Sequence, residues 1–242
     1  MTTFTYSPAI EDLPRKLKAR KLLTWLLLFA IVMFFAGLTS AYVVSMSGGY
    51  WVDIRLPDAF LVSTGCIAVS SLFIQMALTR VRRGEMGGVP LLIAFTLAFG
   101  IGFAISQFQG WGQLVDRGNF VVGKVLQNTG TYGQDWTIRH QGQELVLEDG
   151  KFYLPDDTQR RTALNADLDE QKNTASSYIY ALTAAHLAHL GLGLVSLVVM
   201  LVLAARGAYT QADHAGLWAG TMYWHFLGIL WVYLFLFLTF VH

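Results

Sequence analysis

The chain has 242 residues, of which 54% are hydrophobic and only 14% charged, a balance that excludes an ordinary water-soluble domain of this length. The net charge is +1, and the basic residues cluster beside apolar runs instead of forming a separate stripe, which argues against nucleic acid as a partner. A single cysteine, Cys66, excludes an intramolecular disulfide.

Residues 1–21 form a basic N-terminal segment, with Arg15, Lys16, Lys18, Arg20 and Lys21 directly before the first apolar run. Five runs then lack Asp, Glu, Lys and Arg altogether: Leu22–Met46, Ala59–Thr79, Val89–Gly112, Thr174–Ala205 and Ala215–His242. Each is longer than the roughly 18–20 residues needed to cross about 30 Å of hydrocarbon at 1.5 Å per residue. Backbone polar groups in lipid must be satisfied within the segment, so these runs are predicted helices. The first has basic residues before it and a stretch, "LTSAY", that resembles a signal-peptide cleavage site. Its apolar stretch is too long for a signal peptide, and it reads as a retained span.

The expected organisation is an all-α integral membrane protein with five transmembrane helices. Residues 22–112 carry the first three, 113–173 form a small, partly β, external insertion, and 174–242 carry the last two. Arg80, Arg82 and Arg83 follow the second span and Arg206 the fourth, whereas the loop after the first span holds only Arg55. Basic residues in short loops stay in the cytoplasm, which places the N-terminus inside and the C-terminus outside. The insertion is then periplasmic if the membrane is a bacterial inner membrane.

Within the insertion, "DWTIRHQGQELVLEDGKFYLP" has short β-prone runs separated by turn signals at Gln141-Gly142 and Asp149-Gly150, which predict a hairpin or three-stranded meander. Downstream, "DDTQRRTALNADLDEQKN" suggests a short amphipathic helix. Such a small β element needs support from the membrane helices or from a partner.

The fourth span contains His186 and His189, and the fifth contains His225. Positions i and i+3 share a helix face, so His186 and His189 are expected to point the same way, beside Ala185 and Gly193. Gly228 shares the face of His225. By helix rise, His186 and His225 fall in the middle third of the membrane and are candidate neighbours. Three readings stay open: packing histidines hydrogen-bonded between helices, a bis-histidine haem needing one ring from each of two facing helices, and a metal or proton-relay site. The relay is weakened because no span contains a carboxylate; Gln75, Gln107 and Gln109 are the comparable polar groups.

Taken together, several segments resemble the cytochrome c oxidase subunit III family of the haem-copper terminal oxidases. They are "VMFFAGLTSAYVV", "SSLFIQMAL", "GFAISQFQGW", "SSYIYALTAAHLAHLGLGL" and "YWHFLGILWVYLFLFL", in span order. The resemblance covers all five spans, leaves out the N-terminus and the insertion, and is to the family's five-helix form. It implies an accessory, non-catalytic subunit of an oxidase that reduces oxygen to water and translocates protons. Cofactors would be absent from this chain, with haem and copper in partner subunits I and II, and bound phospholipid at the interface. A further respiratory complex or cytochrome c is a possible partner of the insertion. His186, His189, Tyr223, Trp224, His225 and Phe226 match family positions. With Gly193 and Gly228 they are the candidates for helix packing, the lipid interface or an oxygen-permeable cleft; no catalytic or metal-binding residue is expected. Ile31, Gly110 and Gly228 stand where relatives often carry acidic residues. The alternatives are the corresponding subunit of a quinol oxidase or nitric-oxide reductase, a stand-alone haem-b cytochrome, or a transporter.

Overall fold

A computed structural model describes residues 8–241, with side chains from residue 18 onward. The first seven residues of the basic N-terminal segment therefore lie outside the described residues. Helix α1 runs unbroken over Pro8–Met46, so Lys18, Arg20 and Lys21 belong to the same helix as the first span. The chain continues through strand β1 (Tyr50–Ile54), helices α2 (Ala59–Arg82) and α3 (Val89–Asp116), and strands β2 (Trp136–His140), β3 (Gln143–Glu144), β4 (Val146–Glu148) and β5 (Lys151–Tyr153). A short helix α4 (Asn165–Glu170) precedes α5 (Thr174–Ala205) and α6 (Ala215–Phe240).

Five helices among the described residues are long and apolar enough to cross a membrane: α1 from Lys18, α2, α3, α5 and α6. At 1.5 Å per residue their spans of 24 to 32 residues reach about 36–48 Å, which covers the hydrocarbon with allowance for tilt. The protein is a multi-pass membrane helical bundle. In keeping with that, the outward faces of α1 and α5 are apolar; Leu22, Leu26, Phe29, Leu192 and Val195 are all more than half exposed. Lipid tails or neighbouring helices would cover such a surface, since water cannot do so favourably.

Sequence chemistry sets the helix ends. Between α2 and α3 the chain turns through Gly84 and Gly88, both at φ +79°, and α3 resumes with Pro90 in its first turn. Arg80 reaches across that turn and donates to Gly87 O at 3.0 Å. At the start of α5, Asn173 Oδ1 accepts from Ser176 N at 3.0 Å, an N-cap bond, while its amide donates to Asn119 Oδ1 at 3.2 Å. At the bundle end holding the α1 and α6 N-termini, Lys21 Nζ lies 5.5 Å from the centre of the Trp218 ring.

The opposite end carries the β structure. Both sequence turns form where expected, with Gln141-Gly142 at φ +50° and +82° and Asp149-Gly150 at +50° and +74°, as tight hairpin turns of the primed type require. The sheet differs from the expected meander. β2 and β3 form one hairpin, β4 and β5 a separate one, and the third strand beside β2 is β1, from the loop between the first two spans. β1 pairs antiparallel with β2, Val52 opposite Ile138, and Asp53 bridges diagonally to Arg139 at 2.8 Å. "YWVDI" carries no local signal for this role because its partner lies some 86 residues away, beyond any periodicity argument. The amphipathic stretch after β5 is helical only over Asn165–Glu170.

Several bonds fix the insertion to the bundle. Ser176 Oγ and Ser177 Oγ donate to Phe120 O and Val121 O at 2.8 and 2.7 Å, and the Tyr180 hydroxyl donates to Asn119 O at 2.9 Å. Beneath β1, Tyr42 of α1 meets Trp51, Phe237 and Tyr178 edge-on, with ring centres 4.9, 5.1 and 5.6 Å away. The hydroxyls of Tyr50 and Tyr132 titrate above the usual tyrosine value, chiefly because burial disfavours the phenolate.

Candidate functional site

Of the residues singled out on α5 and α6, Trp224 is the pivot at the centre of the bundle. Its indole is wholly buried, and Nε1–H donates to Ser70 Oγ of α2 at 2.9 Å. On one side it lies against Gly100 of α3, where an added Cβ would fall 2.7 Å from Cη2; on the other it lies against Gly193 of α5, where an added Cβ would fall 3.2 Å from Cζ3. One aromatic side chain thus touches three neighbouring helices. Both glycines are needed for that closeness, which the missing Cβ makes available.

Tyr223 and His225 flank Trp224 and reach different helices. The Tyr223 hydroxyl donates to the backbone oxygen of His189 at 2.9 Å, which ties α6 to α5. His225 Nε2 lies 3.1 Å from Gln75 Oε1, a bond from the Nε2–H tautomer that ties α6 to α2. Phe226 faces the α1 side and lines a groove of about 330 Å³ with Val32, Phe35 and Ile229. Gly228 opens on the other side of α6. Its hypothetical Cβ would meet Ser71 and Ile67 at ordinary distances, and it lines a second groove of about 340 Å³ with Ala68, His225 and Ile229.

The paired histidines diverge more than a shared face suggests. His186 is fully buried between Phe103 of α3 and Trp231 of α6, with ring centres 5.7 and 5.4 Å away. His189 is half-buried and turns toward α1, 5.7 Å from Phe35 and 6.1 Å from Phe34. Its Nδ1–H donates to Ala185 O at 2.7 Å. An offset of three residues is about 60° around the helix, enough at a three-helix junction to send the rings into different gaps. His225 does not join His186 either, since it bonds to Gln75 on α2. The three imidazoles therefore go to three different contacts, and no two face each other as axial haem ligands would need to. Among the described residues, no group of three or more His, Cys, Asp or Glu side chains is placed to hold a metal ion.

Of Ile31, Gly110 and Gly228, only Gly110 is closed to any added side chain. Phe60 of α2 occupies the space a side chain at Gly110 would need, well inside contact distance. Ile31 is buried in the apolar core, and Gly228 borders the α2/α6 groove.

Sequence reasoning named Gln107 but missed the polar contacts that complete this region. Gln107 Nε2–H donates to Ser63 Oγ at 2.8 Å, Trp111 Nε1–H to Thr183 Oγ1 at 3.0 Å, and Trp231 Nε1–H to Thr64 Oγ1 at 2.9 Å. Gly100 and these hydroxyls left one usable signal, namely small and hydroxyl-bearing residues inside apolar spans that also contain indoles.

The fold and this centre define a polytopic α-helical membrane protein held by aromatic and polar contacts between spans. A family model for cytochrome c oxidase subunit III matches residues 159–242, the end of the insertion and the last two spans. The chain is 24% identical over 218 residues to the cytochrome c oxidase subunit 3 of Corynebacterium diphtheriae, covering 87% of this chain and 82% of that one. It is 23% identical over 215 residues, with the same coverage, to the probable cytochrome c oxidase subunit 3 of Mycobacterium leprae. With the cytochrome c oxidase subunit 3 of Synechocystis the likeness is 34% over 65 residues, 26% of this chain and 28% of the relative. The chain is thus similar to cytochrome c oxidase subunit III proteins, by the family model over its last two spans and by these relatives over most of its length.

Proposed function

We propose that this chain is the accessory, non-catalytic third subunit of a haem-copper oxidase that reduces oxygen to water and translocates protons. Haem and copper belong to partner subunits I and II, and the chain itself carries no cofactor. It lies in a bacterial inner membrane with the N-terminus in the cytoplasm and the insertion and C-terminus in the periplasm. Similarity to cytochrome c oxidase subunit III proteins supports the oxidase, and the positive-inside pattern supports the orientation.

One observation carries the structural role. The polar bonds of Tyr223, Trp224 and His225 each run from α6 to another helix, and their partners are His189, Ser70 and Gln75. Groups used in this way hold a scaffold together. The scaffold offers the catalytic subunit a rigid apolar face, and the two grooves flanking α6, separated by Ile229, suit phospholipid acyl chains. Oxygen, being apolar, can enter the same grooves; Gly228 borders one, whereas Gly193 is filled by Trp224 and Leu227. The insertion and the loop carrying β1 together present a charged concavity of about 290 Å³ with Asp53, Arg55, Asp135 and Arg139, a docking surface for a further respiratory component.

The test is purification in mild detergent with identification of co-eluting chains, alongside an absorption spectrum of the isolated chain. Co-elution with a haem-copper subunit, and no Soret band from the isolated chain, is the expected result. A Soret band from the chain alone would overturn the non-catalytic assignment.

A further inference from the structure

Among the described residues of the five spans, the buried side-chain nitrogen and oxygen atoms without a partner are Gln107 Oε1 and the two ring nitrogens of His186. Both residues are completely buried. Buried polar atoms are nearly always bonded to protein or to ordered water, so these two residues call for a partner that the neighbouring side chains do not supply.

Their chemistry is complementary. Ser63 gives its only hydroxyl hydrogen to Phe60 O at 2.8 Å, so toward Gln107 it must act as acceptor. That fixes the amide orientation: the nitrogen is committed to Ser63, and Oε1 is left seeking a donor. A neutral imidazole has one N–H to give and one lone pair to receive.

Their placement is complementary too. Phe103 of α3 packs on His186 of α5, and Trp111 bonds to Thr183, so the two helices run antiparallel. Gln107 lies one turn from both Phe103 and Trp111. Side chains lean toward the N-terminus of their own helix, which tilts Gln107 toward the level of Phe103 and His186 toward the level of Trp111. The two therefore lean toward each other. The neighbouring rings cannot serve either orphan, because the Trp231 N–H is already given to Thr64 and Phe103 has none.

We propose that one buried water bridges Gln107 and His186, accepting from the imidazole N–H and donating to Oε1. The bridge extends a chain that runs Ser63, Gln107, water, His186 and links α2, α3 and α5 at the bundle centre. It stands independently of the oxidase assignment.

A density map of the unmodified protein in its membrane complex, at a resolution that shows ordered water, is the direct test. We expect a peak roughly 2.7–3.2 Å from both Gln107 Oε1 and one His186 nitrogen. No peak, or a direct bond between the two side chains, overturns the proposal. Unfolding equilibria of Gln107→Leu, His186→Leu and the double variant supply a second readout. A shared water makes the double variant's loss about 5–30-fold smaller than the product of the single losses; simple multiplication of those losses overturns it.

Discussion

Substituting alanine for each of three glycines around α6 gives a ranking that the Trp224 junction dictates. At Gly100 the new methyl would sit 2.7 and 2.9 Å from indole carbons and 2.9 Å from Leu194 Cδ2. Leu194 can rotate away, but the indole is hydrogen-bonded to Ser70 and backed by Gly193, so it has nowhere to go. Overpacking of this kind costs about 1–3 kcal/mol, and the helix preference of Ala over Gly returns about 0.8–1.0 kcal/mol. The expected net loss for Gly100→Ala runs up to about 2 kcal/mol, or up to about 30-fold in the folding equilibrium, with the upper part of that range expected because the indole cannot yield. Gly193→Ala, with contacts of 3.0–3.3 Å, should fall between zero and about 1 kcal/mol. Gly228→Ala meets only ordinary contacts, at 3.4 and 3.5 Å, and should be neutral or stabilising by up to about 1 kcal/mol. Detergent-micelle unfolding by SDS titration, followed by far-ultraviolet circular dichroism, measures all three. Trp224→Phe, which removes the crowding part of the ring, should recover part of the Gly100→Ala loss. The reasoning fails if Gly228→Ala costs as much as Gly100→Ala, or if the Gly100 and Trp224 effects simply add.

Four further outcomes follow from the same contacts. Gly110→Glu should destabilise the bundle by more than 1 kcal/mol, and Phe60→Ala in the same chain should restore part of the loss in the SDS titration, because the phenyl ring fills that space. Asn173→Ala removes an N-cap and should cost about 1 kcal/mol, seen as faster hydrogen exchange in the first turn of α5. Asp157 is partly exposed, and its carboxyl is held below the usual value first by the Thr162 N–H and then by further backbone amides. A lowered value means the turn's support is present above the ordinary carboxylate range and fades as pH falls through the lowered value. The Thr162 amide resonance should shift in that acid window, and an unchanged resonance, or the same shift in Asp157→Asn, would refute the link. Finally, Gln75→Leu should loosen α6 from α2 by about 1 kcal/mol, with His225→Leu adding little on top, since the two share one bond.

The spans were legible because lipid imposes a length and a composition that a sequence must display openly. Both hairpin turns were legible for a local reason: a residue pair ending in glycine marks a backbone with positive φ. The recruitment of "YWVDI" into the sheet was hidden, because its register with Trp136–His140 depends on two helices first bringing the segments together. The histidines show the same boundary. Spacing placed His186 and His189 on one face of α5, yet the positions of α1, α3 and α6 send one ring to Phe103 and the other to Phe35. Trp224 was noticed through its neighbours in "YWHF", while its seat between Gly100 and Gly193 became visible only once four helices were assembled.

The borrowed strand β1 also sets an order of assembly. Tyr50–Ile54 leaves the ribosome long before Trp136–His140 exists, so the first helical hairpin must enter the bilayer with that strand's edge unpaired. Closure waits until the third span has been threaded and the polypeptide beyond it has emerged. During biogenesis this open edge is the segment most exposed to mispairing or to capture by a chaperone.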